Sequence, residues 1–139
     1  MTKNLADRYV ALWNEADPQV REDLVHGLWT EDGAHVIADP PEEIRTAAAN
    51  LAFPAPSLEV RGHAALLGRV ARAHEMFVAP GTYAFRLREE PRRLLAGVVA
   101  LRWSMVDVAT GDVAGGGLDV LALDDDGRIR LDTQYIGVD

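Results

Sequence analysis

The sequence predicts an α+β domain in which three helices pack on a curved antiparallel sheet. Three observations predict it. The first half of the chain carries apolar residues at helical spacing in three separate stretches. From Thr82 onward, apolar and polar residues alternate, with turn residues at Glu90-Pro91-Arg92, Thr110-Gly111-Asp112 and Asp124 to Gly127. Helices and hairpin-linked strands that occupy different parts of a chain segregate in space as well, which is the α+β arrangement. A length of 139 residues suits a single domain over 1–139 with one core.

The elements follow in order. Asn4 to Ala16 reads as an amphipathic helix with Leu5, Tyr9, Leu12, Trp13 and Ala16 on one stripe. Asp17-Pro18 starts the second helix, Asp as N-cap and Pro at the first helical position. Its stripe is Val20, Leu24 and Leu28 with Val25 and Trp29 alongside, and Thr30 to Gly33 is expected to end it. Ala34 to Asp39 is a short strand with His35, Ile37 and Asp39 on one face, closed by Pro40-Pro41. Residues 41–57 are irregular; Glu42 to Leu51 can form a short helix, and the segment serves either as a lid or as a plain connector. Gly62 to Phe77 is the third helix, with His63, Leu67, Val70, His74 and Phe77 in line. Four strands complete the chain: Thr82–Glu89, Arg93–Val108, Val113–Leu123 and Arg128–Gly137, an antiparallel meander. The second of these is apolar on both faces. One face must cover the helices, and the other predicts a sheet-to-sheet homodimer.

Composition excludes several functions. A net charge of −8 disfavours nucleic acid and anionic membranes, which need a basic surface. With no cysteine there is no disulfide, zinc-thiolate site or thiol nucleophile. No apolar run nears the roughly 20 residues of a membrane helix, and the N-terminus lacks a long apolar signal core, so a cytoplasmic protein is expected. Asp124-Asp125-Asp126-Gly127 lacks the closing Glu of a calcium loop. Gly115-Gly116-Gly117 precedes no helix and reads as sheet curvature rather than a phosphate cradle. No histidine pair has metal-ligand spacing on one helix. No metal and no cofactor are expected.

Polar residues on apolar stretches are the candidate site. Asp119 stands out, mid-strand between Leu118 and Val120 with Leu121 and Leu123 beyond it. Both faces of that strand are apolar, so Asp119 is buried either way, and a buried carboxyl must be paired, hydrogen-bonded or protonated. Tyr9, His35, Asp39, His63 and His74 are weaker. Tyr9 fits a core tyrosine bonded to backbone, Asp39 a turn residue before proline, and His74 a satisfied core histidine.

The order helix, helix, strand, helix and four-stranded meander resembles the nuclear transport factor two-like (cystatin-like) fold, a cone with a pocket at its open end. Within it, the chain is similar to SnoaL-like and ketosteroid isomerase-like proteins. The resemblance rests on Arg8-Tyr9-Val10, on Ala38-Asp39-Pro40, and on the segment from Asp119 to Ile129, D-V-L-A-L-D-D-D-G-R-I. It implies Asp39 as general base, with Tyr9 and a protonated Asp119 as donors to an oxyanion. Trp103 then falls where such proteins carry a pocket aromatic, and Trp13, His74 and His35 join it as substrate-binding residues. That split between an ionised and a neutral carboxyl is a known pattern, illustrated by ketosteroid isomerase itself.

The expected function is abstraction of a proton alpha to a carbonyl in a small apolar molecule, by an isomerase or a polyketide-cyclase-like enzyme. The alternative is a non-catalytic small-ligand-binding dimer of the same fold. An epoxide hydrolase would need an Asp-Arg-Asp set. Arg102 faces away from Trp103, so the inward arginine there would be Arg86 or Arg88.

Overall fold

A computed structural model describes residues 2–38, 46 and 58–137 of the chain. Asp39 and most of the 41–57 segment lie outside the described residues, and so do the short helix and lid expected there.

Helix α1, Thr2–Asn14, buries Leu5, Ala6, Tyr9 and Leu12, the face that the apolar spacing marks. It stops two residues before Ala16, the end expected from sequence. The Asn14 amide leaves the helix and clamps the backbone of Phe85, donating to its carbonyl at 2.6 Å and accepting from its N–H at 2.8 Å. Arg21 covers the freed carbonyls of Glu15 and Ala16. Helix α2, Pro18–Leu28, starts as the sequence predicts, with Asp17 accepting from the Gln19 N–H at 2.9 Å.

Strand β1 is Trp29–Ala38 and starts five residues before the expected Ala34; its expected end, Asp39, lies outside the described residues. Thr30 to Gly33 is no helix stop. Trp29 is already extended (φ −104°, ψ 150°) and fully buried, so α2 runs straight into the strand. The Trp29 indole then lies across Gly33, where a Cβ would sit 2.7 Å from the ring. Strand β2, Leu58–Arg61, pairs antiparallel with β1 and lies in a stretch where no strand was expected. Helix α3, His63–Ala73, continues into a π turn over His74–Val78.

The expected Arg93–Val108 strand is two. Gly97 takes a left-handed conformation (φ 74°), and β4, Arg92–Leu95, folds back on β5, Val98–Asp107. Strand β3, Tyr83–Leu87, pairs with the far end of β5. Strands β6, Val113–Leu123, and β7, Ile129–Ile136, complete the meander. The sheet order is β2-β1-β7-β6-β5-β3, with β4 on β5. The sheet is mixed rather than purely antiparallel, because β1 runs parallel to β7.

One sheet face meets the helices. Val99, Leu101, Leu121 and Ile129 pack there with Leu5, Leu12, Leu28, Trp29, Leu66 and Val70. Full burial of each such leucine contributes about 1.5–3 kcal/mol, so this layer holds the helices in register over the sheet. No helix among the described residues is long and apolar enough to cross a membrane.

Candidate active site

The register places a polar patch inside this apolar layer. Directly opposed residues share a face. One inner row runs Leu101, Asp119, Gln134, Ile37 across β5, β6, β7 and β1, and the next runs Val99, Leu121, Asp132, His35. Asp119, Gln134, Asp132 and His35 therefore adjoin. Asp119, Asp132 and His35 are 0%, 0% and 1% exposed.

Asp132 was not legible as an inward residue. Plain alternation from Ile129 turns Leu131 and Thr133 inward. An extra residue on β7, Arg130, faces the single step from Ala122 to Leu123 on β6 and breaks that alternation, so that Ile129 and Asp132 are both buried while Leu131 is exposed. Gln134 follows Asp132 onto the same face.

Tyr9 descends from α1 onto the patch. Its hydroxyl oxygen lies 2.7 Å from Asp119 Oδ2 and 2.5 Å from Asp132 Oδ2. Trp103 and Gln134 donate to Asp119 Oδ1, at 2.7 Å and 3.0 Å. The glycines before Asp119 make the first of these bonds possible. A Cβ on Gly117 would stand 2.6 Å from the Trp103 ring, so the indole lies flat over that glycine and reaches Asp119. Gly117 is thus a seat for Trp103, a role that sheet curvature alone does not describe.

Counting protons orders the cluster. A phenol has one proton and can donate once. Two carboxyl oxygens at hydrogen-bond distance from it mean that one of them carries a proton and donates to the phenol oxygen. An indole N–H only donates, so Asp119 Oδ1 is an acceptor. Trp103 and Gln134 crowd two donors onto Asp119 Oδ1, whereas the surroundings of Asp132 favour its acid form. Burial, and next the charge of Asp119, hold the Asp132 carboxyl protonated well above the usual carboxylate range, although the Tyr9 hydrogen bond and Arg69 pull the other way. Burial and the two aspartates likewise push the Tyr9 hydroxyl well above its usual value, so it stays a phenol. The carboxyl whose surroundings favour the neutral acid is Asp132, on the strand next to Asp119. The result is a directed chain, Asp132 O–H to Tyr9 and Tyr9 O–H to Asp119. A proton received at Asp132 Oδ1 can pass along it as Oδ2 releases one to Tyr9 and Tyr9 releases one to Asp119.

His35 completes the patch. One nitrogen of Arg69, on α3, donates to His35 Nδ1 at 2.8 Å and to the His35 carbonyl at 3.1 Å. Burial lowers the His35 pKa to about 4, with Asp119 raising it and Arg69 lowering it further, so the ring is neutral. A guanidinium only donates, so Nδ1 accepts and the ring's proton sits on Nε2. That nitrogen is 3.7 Å from Asp132 Oδ2 and 3.9 Å from Asp119 Oδ2, too far for a hydrogen bond. Among the described residues His35 Nε2, Asp132 Oδ1, Trp13 Nε1 and Trp29 Nε1 are buried without a hydrogen-bond partner. Each such group costs about 1–3 kcal/mol. Arg69 has its pKa lowered to about 10 by burial and remains a cation. It balances the Asp119 charge.

His35, Asp119 and Asp132 offer ligand atoms within 4.8 Å of one another, a spacing that can hold a metal ion. The protonation pattern fits such an ion poorly. A ligating imidazole donates from its other nitrogen to an acceptor, whereas here that other nitrogen receives a donor. The proton forced onto Nε2 covers the lone pair a metal would need.

Of the residues singled out from sequence, Tyr9, Asp119, Trp103 and His35 come together, and Trp13 packs on them with ring centroids 5.5 Å from His35 and 6.1 Å from Tyr9. Asp39, the expected base, lies outside the described residues. His74 is buried in the π turn, where its charged neighbours are Arg21 and Glu15 and not the two aspartates. His63 bonds the Trp29 carbonyl at 3.0 Å. The inward arginine is Arg69; Arg86 and Arg88 are exposed. Among the described residues Arg69 hydrogen-bonds neither Asp119 nor Asp132, so these three form no Asp-Arg-Asp bridge. Asp132, Gln134 and Arg69 escaped the sequence reading. Only Asp132 left a trace there, as a charge in an otherwise strand-forming run.

No protein-family model matches the chain, and no curated protein does. Solved structures do match in fold. An isomerase candidate of the SnoaL-like family from Agrobacterium tumefaciens superposes with a TM-score of 0.74 at 24% identity, covering 98% of each chain. A SnoaL-like protein of unknown function from Burkholderia thailandensis gives 0.62 at 17% identity over 99% of each chain. A protein of ketosteroid isomerase-like fold from Catenulispora acidiphila, solved in complex with trimethylamine, gives 0.62 at 14% identity over 97% of this chain and 86% of that one. The fold is thus that of the SnoaL-like, nuclear transport factor two-like group, as the sequence resemblance implied.

Proposed function

We propose that the protein is a small-molecule enzyme that moves a proton alpha to a carbonyl, of isomerase or cyclase type, in the apolar layer between α1 and the sheet. The observation that supports this best is the chain of three acidic groups, one carboxylate, one phenol and one carboxylic acid, sealed from water and joined by bonds of 2.5 and 2.7 Å. Carboxyls held in opposite protonation states supply an acid and a base side by side. Enolate charge forming nearby meets neutral donors in a dry site, where they act most strongly. Asp39 remains the base by resemblance, and Asp119, reached through Tyr9 and Asp132, is the base that the geometry offers. The apolar surroundings suit a small, mostly hydrocarbon carbonyl compound.

Hydrogen–deuterium exchange alpha to the carbonyl tests the reading without knowledge of the natural substrate. A panel of cyclic ketones and enones in D2O is followed by NMR. Wild type exchanges at least one of them, and Tyr9→Phe lowers the rate about 10²–10⁴-fold, the usual worth of a positioned acid or base. Loss in Asp39→Asn assigns the base to Asp39, and loss in Asp119→Asn alone assigns it to the chain. Equal rates in wild type and all folded variants leave the second reading, a binding protein. One observation favours that reading: Asp119 is saturated by three protein donors.

The outer sheet face supports a homodimer as part of the same proposal. Leu94, Leu95, Val113, Leu131 and Tyr135 are exposed at 51%, 63%, 63%, 38% and 37%. A second copy of the sheet is the natural cover for such residues.

A further inference from the structure

His35 is held in one tautomer for a purpose the acid chain does not serve. Its Nδ1 is closed by Arg69, its carbonyl by the same guanidinium nitrogen, and its proton projects from Nε2 toward Asp119 and Asp132 without reaching either. The indole of Trp13 packs against the imidazole, and its N–H is also buried and unpartnered. Asp132 Oδ1 is a third such atom; the fourth, Trp29 Nε1, belongs to an indole on the far side of Tyr9 that lies over Gly33 and makes no ring contact with His35. Buried polar groups of folded proteins almost always find partners. Two donors and one acceptor orphaned together, on residues that adjoin, describe the complement of a missing group.

We infer that His35 Nε2–H and Trp13 Nε1–H form the seat for the oxygen of a neutral carbonyl ligand, with Arg69 as the positioning residue that fixes the His35 tautomer and Asp132 Oδ1 facing the ligand's adjacent carbon. The inference rests on the reading above and deepens it. The carbonyl oxygen goes to the histidine and tryptophan, because the Tyr9 and Asp119 groups are already spent on each other. Charge selects a neutral ligand. Arg69 and Asp119 balance, so a carboxylate or an ammonium would bring an uncompensated charge into a dry site. An oxygen that gains negative character in reaction is favoured, since Arg69 polarises the imidazole from behind. Proton balance is simple: the hydrogen leaves the alpha carbon for Asp132 Oδ1, the Asp132 Oδ2 proton moves to Tyr9, the Tyr9 proton moves to Asp119, and the C–H electron pair becomes the enolate held by the two N–H donors.

Long-range ¹H–¹⁵N NMR on histidine- and tryptophan-labelled protein tests this with cyclohexanone as probe and methylenecyclohexane, the same shape without an acceptor, as control. Free protein should show His35 neutral with its proton on Nε2 at pH 7. Cyclohexanone should move both the His35 Nε2–H and the Trp13 indole resonances and bind about tenfold or more tightly than methylenecyclohexane, the worth of an acceptor meeting waiting donors. Trp13→Phe should erase most of that preference, and Arg69→Met should give a mixed His35 tautomer. A proton on Nδ1 in wild type, no shift with cyclohexanone, or equal binding of the two probes overturns the inference. The wild-type spectrum alone decides the tautomer if a variant does not fold. Exchange activity without these shifts would leave the proposed reaction standing and remove the seat; the shifts without exchange would keep the seat and remove the reaction.

Discussion

Replacing Asp132 by asparagine should change how folding stability depends on pH, and the sign follows from the structure. Asp132 faces Tyr9 from α1, Asp119 from β6, His35 from β1 and Arg69 from α3. Its folded pKa is raised from an ordinary value of 3.8. Above that value the unfolded chain has released a proton that the native state still holds. Native Asp132 therefore loses stability as pH rises, by about 1.4 kcal/mol per pH unit for one full proton, until pH reaches its folded pKa. His35 works in the opposite direction. Its folded pKa of about 4 lies below the ordinary 6.5, so its contribution is complete above 6.5 and lost as pH falls toward 4. The two slopes oppose each other between pH 4 and 6.5, where His74, its pKa also lowered by burial, works on the side of His35. Urea unfolding followed by tryptophan fluorescence, at constant ionic strength from pH 5 to 8.5, measures both. Over the range in which native Asp132 holds its proton, wild type should lose stability relative to Asp132→Asn as pH rises, by about 1.4 kcal/mol per pH unit, while both keep the histidine rise below 6.5. Wild-type and Asp132→Asn curves that run parallel from pH 5 to 8.5 refute the assignment of the buried proton to Asp132.

Two further predictions concern packing. Gly117→Ala puts a methyl 2.6 Å from the Trp103 ring and 2.7 Å from the Tyr135 carbonyl; overpacking of this kind costs roughly 1–3 kcal/mol, read as a lowered thermal midpoint, and the Trp103 indole N–H resonance should move as its bond to Asp119 breaks. A double change on the outer face, Leu131→Glu with Tyr135→Lys, should convert a dimer to a monomer in size-exclusion chromatography with light scattering while leaving the circular dichroism spectrum intact; a wild type that is already monomeric rejects the dimer.

Local features of the fold were legible from sequence and non-local ones were not. The stripe of Leu5, Tyr9 and Leu12 and the Asp17-Pro18 start are written within a single turn of chain, and both appear as expected. The break at Gly97 was missed because Leu94 and Leu95 before Ala96-Gly97, and Val98 and Val99 after it, read as one apolar strand. The register shift that turns Asp132 inward depends on how β6 and β7 pair, which alternation along one strand does not encode. Asp119 could be found because it has only apolar neighbours in sequence. Asp132 has Arg130 and Gln134 near it and looks like part of a solvated face. Arg69 sits beside the helix stripe, where an arginine normally extends to water; here it turns in because His35 offers two acceptors.

The buried cluster also constrains when it can assemble during synthesis. Tyr9 meets Asp132 across 123 positions of chain and Asp119 across 110. β1, emerging early, finds its parallel neighbour only in β7, the last strand. Contacts so distant along the chain close late and slowly. A ribosome-bound chain lacking β7 has Tyr9, His35 and Asp119 but neither Asp132 nor Gln134, and an open edge on both β1 and β6. Two of the donors to Asp119, Tyr9 and Trp103, are synthesised before β7, whereas Gln134 and Asp132 arrive together on that last strand and complete the cluster when it docks.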